Sequence, residues 1–137
     1  LKISVKAEYA LCALLDLSRH SSSQQVVPLG LISRRQNIPE NYLEHIMLQL
    51  KKADFVDSRR GIGGGFYLVK EPAQITVGDV IRLIDGPIEN KAIKQYGKNQ
   101  RAEQQAFQEI WTEISRSIST VIDNVTFADL SRRTEEI

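Results

Sequence analysis

Four glycines within five positions, Gly61, Gly63, Gly64 and Gly65, follow directly on Arg59 and Arg60 and precede the apolar run Phe66-Tyr67-Leu68-Val69. Glycine tolerates positive φ and lets the backbone approach a partner closely. The cluster therefore reads as a tight tip between two strands, Phe55–Ser58 before it and Phe66–Val69 after it. A cationic tip of this kind suits a nucleic-acid groove, where arginine pairs with phosphate or enters a narrow, strongly negative minor groove. The plainer reading is a hairpin with a flexible tip and two solvated arginines. A phosphate-binding loop fits less well. Phe66 occupies the last glycine position of G-x-G-x-x-G, no Gly-Lys-Ser/Thr follows, and the next element reads as a strand, without the helix N-terminus that would hold an anion.

The segments upstream give this tip a setting. Val5–Arg19 carries a nearly continuous apolar block and reads as a mostly buried first helix, with His20 as the residue expected to cap it. After the polar loop Ser21–Gln25, Pro28 opens a short helix, Leu29–Gln36, with Leu31 and Ile32 inward and Arg34 and Arg35 outward. Asn37 suits the left-handed conformation that ends a helix and turns the chain sharply. Pro39 fits the first turn of the next helix, Glu40–Ala53. There Leu43, Ile46, Met47 and Leu50 fall at i, i+3, i+4 and i+7, a single buried stripe. The exposed N-terminal face carries Glu40, Asn41, Glu44 and His45, with Tyr42 at its edge and Lys51 and Lys52 near the other end. Short helix, tight turn and longer helix with a polar face make a helix-turn-helix, and the hairpin follows as its wing.

Beyond Glu71-Pro72 the character changes. Thr76-Val77-Gly78-Asp79 has capping-box spacing and starts a helix that Gly86-Pro87 stops, with Val77, Val80, Ile81 and Ile84 inward. Residues 88–101 read as a polar loop. A long periodic segment then carries Phe107, Ile110, Trp111, Ile114, Ile118, Val121 and Ile122 on one stripe. A helix over about 102–125 is roughly 30 Å long at 1.5 Å per residue. It outruns so small a domain, so part of its apolar face needs a partner. Thr126-Phe127-Ala128-Asp129 forms a second capping box before a last short helix, with Leu130 inward. The expected organisation is mainly α with a small β-hairpin: a winged helix-turn-helix over 1–72, then a helical segment over 73–137.

Charge divides along the same line. Of the net +1, residues 1–70 contribute +4 and residues 71–137 contribute −3. A basic first half and an acidic second half suit a DNA-contacting module beside one that meets protein. No apolar run approaches the ~20 residues that span a bilayer, and the first residues lack the apolar core of a signal peptide. With one cysteine, Cys12, no internal disulfide forms, so the expected compartment is the cytoplasm. Catalysis has little support: His20 and His45 are the only histidines and nothing marks a nucleophile–base pair.

Four segments, Lys6–Leu11, Ile38–Glu44, Arg60–Phe66 and Ile75–Ile81, together resemble the small winged-helix transcription regulators typified by IscR, NsrR and CymR, the Rrf2 family. The resemblance covers nearly the whole chain. It implies a homodimer on an imperfect DNA palindrome, with the long helix crossing to the other subunit. In this setting Asn41, Tyr42, Glu44 and His45 face the major groove. Asn41 is suited to an adenine edge and Glu44 to a cytosine amino group. Arg59, Arg60 and Gly61 meet the minor groove, and Lys6, Arg34 and Arg35 neutralise phosphate. Members that sense iron, nitric oxide or redox state hold a two-iron, two-sulfur cluster on three cysteines, in a loop that corresponds to about Gly86–Glu103. None is present there, so no cofactor is expected in the family's usual way. Cys12 and Glu8, one helical turn apart, leave open a redox or iron–sulfur sensor that borrows a histidine; the other reading makes Cys12 a small apolar residue on a buried helix face. The remaining alternative function is a winged-helix protein-interaction module. A small anion or a partner protein at Lys91, Lys94, Lys98 and Arg101 is one route for an effector; solvation of that loop is the plainer role.

Overall fold

The computed structural model describes residues 2–88 and 101–137. Within them the chain runs α1 (Val5–His20), α2 (Leu29–Gln36), α3 (Glu40–Lys52), β1 (Val56–Arg59), β2 (Gly65–Leu68), a 3₁₀ turn (Pro72–Gln74), α4 (Val77–Asp85), α5 (Ala102–Ile122) and α6 (Phe127–Glu136). This is the mainly helical, single-hairpin architecture that the sequence patterns predict.

α1 is the central post. Ser4 caps it by accepting the Ala7 N–H at 3.0 Å, and Asp85 at the end of α4 in turn accepts the Ser4 N–H at 2.9 Å. Its buried face is built from Ala7, Ala10 and Ala13 with Leu14 and Leu17. The small side chains let α2, α3, α4 and α6 all pack against one helix. The cap at its other end differs from the expectation. Ser21 closes the helix, both its N–H and its hydroxyl bonding the Leu17 carbonyl at 2.9 and 2.7 Å, while His20 is exposed.

The turn between α2 and α3 is set by local chemistry. Asn37 adopts φ 54°, ψ 49°, the left-handed conformation its short polar side chain tolerates. The Ser33 hydroxyl donates to the Ile38 carbonyl at 2.6 Å. Pro39 stands at the N-cap of α3, one position before the first turn. Leu43, Ile46, Met47 and Leu50 are then fully buried. Each such side chain contributes about 1.5–3 kcal/mol by leaving water. Asp54, at φ 63°, turns the chain out of α3, and the Phe55 N–H bonds the Leu50 carbonyl at 3.0 Å.

Both strands sit one residue nearer the tip than the pattern indicates. Phe55 spends its N–H on ending the helix, so β1 starts at Val56, and Gly65 pairs with Arg59 across the antiparallel ladder. Val27 joins the far edge of β2 through two bonds with Phe66, at 2.8 and 2.9 Å.

α4 and α6 begin side by side. Thr76 and Thr126 each head a complete capping box. The two starts are laced by Val77 N–H to the Val125 carbonyl and Phe127 N–H to the Ile75 carbonyl, both 3.0 Å. Phe127, Ile75 and Val80 share one hydrophobic cluster with Leu14, Leu43 and Leu50. α5 ends at Ile122, a turn short of the expected end near 125, because Asp123–Val125 form the link into α6. Arg82 fastens that end to α4 through Asp123, with Nη2 donating at 3.1 Å. No helix among the described residues is long and apolar enough to cross a membrane.

Candidate nucleic-acid interface

α3 presents two opposite faces. Its apolar side is sealed in the core, while Asn41, Glu44 and His45 are exposed and their side chains form no hydrogen bond or ion pair among the described residues. Tyr42, also exposed, is braced by an edge-on contact with Tyr9 of α1, ring centroids 5.6 Å apart at 80°. Such aromatic pairs prefer this T-shaped geometry. The result is a rigid rod about 20 Å long at 1.5 Å per residue, with polar groups whose bonding capacity is unspent. Lys51, by contrast, belongs to the fold: its ammonium donates to the Ser58 hydroxyl at 2.7 Å and lies 3.7 Å from Asp57.

The wing tip is a true turn. Gly61 and Gly63 have φ of 96° and 77°, and the Gly64 N–H bonds the Gly61 carbonyl at 2.9 Å. Its two arginines differ. Arg59 donates to the Ser23 carbonyl and lies over the Tyr67 ring, 5.5 Å from its centroid. Arg60 is exposed and carries no partner among the described residues. Ile62, fully exposed between glycines, completes the tip. Its hydrophobicity gave no sequence signal, because one apolar residue in a glycine-rich turn has no periodicity.

The phosphate candidates also separate. Lys6 is half-buried on α1, and Arg34 is exposed at the end of α2. Arg35 is engaged: Nε and Nη2 reach the two carboxylate oxygens of Asp16 at 2.9 and 2.6 Å, and the Gln36 amide adds a third bond at 2.8 Å. Asp16 is the charged residue that sequence reasoning missed. A lone acid inside an apolar helix block looks like a solvated position until its partner on α2 is placed.

On α5, Phe107, Ile110, Trp111, Ile114 and Val121 are exposed, and Ile118 and Ile122 are half-buried. Phe107 and Val121 each leave 62% of their surface open, so among the described residues this stripe is unpartnered at both ends. A cavity of about 290 Å³ opens beside it, lined by Ile81, Ile88, Trp111, Ile114 and Ser115.

Cys12 corrects an expectation. It is exposed with Glu8, on the side of α1 opposite the alanine face. Partial desolvation and then the Glu8 carboxylate raise its thiol above the ordinary range, so it stays protonated at neutral pH. Among the described residues no group of three His, Cys, Asp or Glu side chains stands close enough to hold a metal. Lys91, Lys94 and Lys98 lie outside the described residues; Arg101 directly precedes α5.

Comparison with known proteins agrees with this geometry. Residues 3–133 match the family model described as "Rrf2: Iron-dependent Transcriptional regulator". The chain is 35% identical to the HTH-type transcriptional regulator IscR of Vibrio campbellii, over 98% of this chain and 80% of that protein. It is 33% identical to the HTH-type transcriptional regulator CymR of Bacillus subtilis, over 98% and 93%. Among solved structures, CymR, "the Global Cysteine Regulator of B. subtilis", superposes with a TM-score of 0.84 at 33% identity, covering 97% of this chain and 98% of that one. T. potens IscR gives 0.78 at 34% identity, over 99% and 90%. The iron in the family description meets a donor set here that does not fit a cluster. Iron–sulfur centres are held by several thiolates, and the whole chain has one cysteine.

Proposed function

The chain belongs to the Rrf2 family of transcriptional regulators, and on that premise we propose that it acts as a homodimer reading an imperfect DNA palindrome, without the three-cysteine iron–sulfur site. The observation that carries this reading is the unspent polar face of α3 beside a wing whose Arg60 has no partner among the described residues. Asn41 and Glu44 read base edges in the major groove, as amide and carboxylate groups suit adenine and cytosine amino edges. Arg60 enters the adjacent minor groove, with Gly61 allowing the backbone to come close and Arg59 braced behind it. Arg34 and Lys6 neutralise phosphate and set register. Glu44 also repels phosphate, so it selects sequence at some expense of affinity.

The exposed stripe of α5 supplies the subunit contact. Two copies that pair along Phe107, Ile110, Trp111 and Ile114 present two reading helices, which a two-fold protein matches to a two-fold site. A regulator like its bacterial relatives, working on chromosomal DNA, works in the cytoplasm. A salt-dependent titration with duplexes enriched from a random-sequence pool tests the reading. Binding that tightens on selected duplexes and falls steeply with salt is expected. Absence of duplex binding at low salt would leave the winged helix as a protein-interaction module.

A further inference from the structure

Asp16 has no place in the reading face, yet it is among the most buried charged groups described, with a side chain that is 0% exposed. Both of its carboxylate oxygens are used. Oδ1 accepts from Arg35 Nη2, and Oδ2 accepts from Arg35 Nε and from the Gln36 amide. The pair is the parallel, two-bond fork that makes arginine–carboxylate contacts geometrically specific. Arg35 itself is not swallowed, since 31% of its side chain stays open to water. Its third nitrogen, Nη1, has no partner among the described residues. The guanidinium is thus gripped along one edge by the core of α1 while the other edge stands at the surface, in the last turn of the helix that leads into α3.

We infer that Asp16 is a positioning residue for DNA: by clamping Arg35 it presents the remaining guanidinium edge, in one orientation, to a backbone phosphate of the duplex. The inference rests on the DNA-binding reading above. A free arginine at a surface must give up rotamer freedom to dock on phosphate. One already held by a planar fork loses less for each bond it forms. The same clamp ties α2 to α1, so the phosphate contact and the seating of the helix-turn-helix share one element. The charge of Asp16 works against the contact by partly neutralising Arg35. What the carboxylate adds is orientation, at some expense of long-range attraction.

Two variants separate this role from simple support of the fold. Asp16→Asn keeps the shape and removes the charge that grips Arg35. Asp16→Leu with Arg35→Met replaces the whole pair, buried at Asp16 and partly open at Arg35, by apolar groups of similar size, an exchange that is often neutral or stabilising for buried pairs. Each is titrated against a duplex selected by the parent protein from a random pool, and against a scrambled duplex, from 50 to 200 mM salt. Thermal melts accompany every titration. Asp16→Asn is expected to bind about tenfold more weakly on both duplexes, as loss of a phosphate contact lowers affinity uniformly across sequences. The double variant is expected to melt like the parent, to lose at least as much affinity as Asp16→Asn does, and to show a log–log salt slope shallower by about 0.9, one phosphate. A folded double variant with the parent's slope overturns the contact. Asp16→Asn with the parent's affinity overturns the positioning role. A parent that binds neither duplex overturns the DNA reading itself, a result distinct from both.

Discussion

The Cα of Gly65 lies against the peptide joining Val27 and Pro28. A methyl group built there would overlap the Val27 carbonyl and stand 2.8 Å from the Pro28 nitrogen. This close approach is what lets Val27 and Phe66 exchange two backbone bonds and fix the wing to the segment that leads into α2. Gly61 and Gly63 face open space and are needed for their positive φ. The glycines of the tip thus serve two different physical ends.

Gly65→Ala is therefore expected to cost about 1–3 kcal/mol, the usual range for forcing extra volume into a packed site. The wing should detach from the Val27 edge before the helices melt. Denaturant unfolding gives the stability loss, and proteolysis near Arg60 reports the freed wing. A variant as stable as the parent, with an uncut wing, would mean that the strand shifts to make room.

Arg60→Ala should weaken binding to the selected duplex by about 1–3 kcal/mol and relax specificity beside the wing. Arg59 is a less clean probe. Its side chain holds the Ser23 carbonyl and packs on Tyr67, so Arg59→Ala also loosens the hairpin. Equal affinity for the parent and Arg60→Ala would remove the minor-groove role from the tip.

Asn41→Ala or Glu44→Ala should change which sequence is preferred more than it changes the salt slope, because base contacts specify while phosphate contacts position. Arg34→Ala should do the reverse. The measurement is binding-site selection followed by titration. An unchanged consensus for Glu44→Ala would mean that another element reads the DNA.

The capping box of α6 gives a pH dependence with a defined sign. Asp129 accepts the Thr126 N–H at 3.0 Å, and that bond is the first cause holding its carboxyl below the ordinary aspartate value. A depressed folded pKa stabilises the protein above the unfolded value and loses that contribution as pH falls through the folded value. Asp129→Asn should therefore flatten stability against pH only in the acid range, below about pH 4, and leave neutral pH nearly unaffected in slope. Urea titrations between pH 2 and 7 compare the two curves. Parallel curves through the acid range would place the dependence on other carboxylates.

Most of the fold was legible because its signals are local or periodic. The stripe Leu43–Leu50, the left-handed Asn37 and both threonine capping boxes lie within one or two helical turns, and the structure has all of them. What escaped the sequence depends on contacts between distant positions. The third-strand role of Val27, the need for glycine at 65 and the burial of Asp16 each follow from a neighbour 19 or more residues away. Cys12 was misplaced for a related reason. In an apolar block with hydrophobic residues all round, Ala7, Ala10 and Ala13 with Leu14 and Leu17 define the buried face, while Tyr9, Leu11 and Leu15 are only partly buried. The arginines show the limit for the interface. Sequence marks Arg34, Arg35, Arg59 and Arg60 alike as cations, while tertiary contacts engage two of them and leave two open.

The last prediction concerns the seam on α5. Ile118 is half-buried and packs toward α4, so a charge there would also disturb one chain by itself. Ile110 and Ile114, 50% and 42% exposed, are the cleaner pair. In a lone chain Ile110 is half open to water and Ile114 stands at the mouth of the cavity beside α4, so Asp at these positions costs the fold less than at Ile118. Across a subunit seam the same carboxylates would be buried without partners, a cost of several kcal/mol. Ile110→Asp with Ile114→Asp should therefore give a folded monomer with the parent's helical content, binding a half-site weakly and a full palindrome no better. Light scattering and circular dichroism, measured together, decide it. An intact dimer in that variant would move the contact to another face, and an unfolded chain would mean that the folded subunit does not exist apart from its partner.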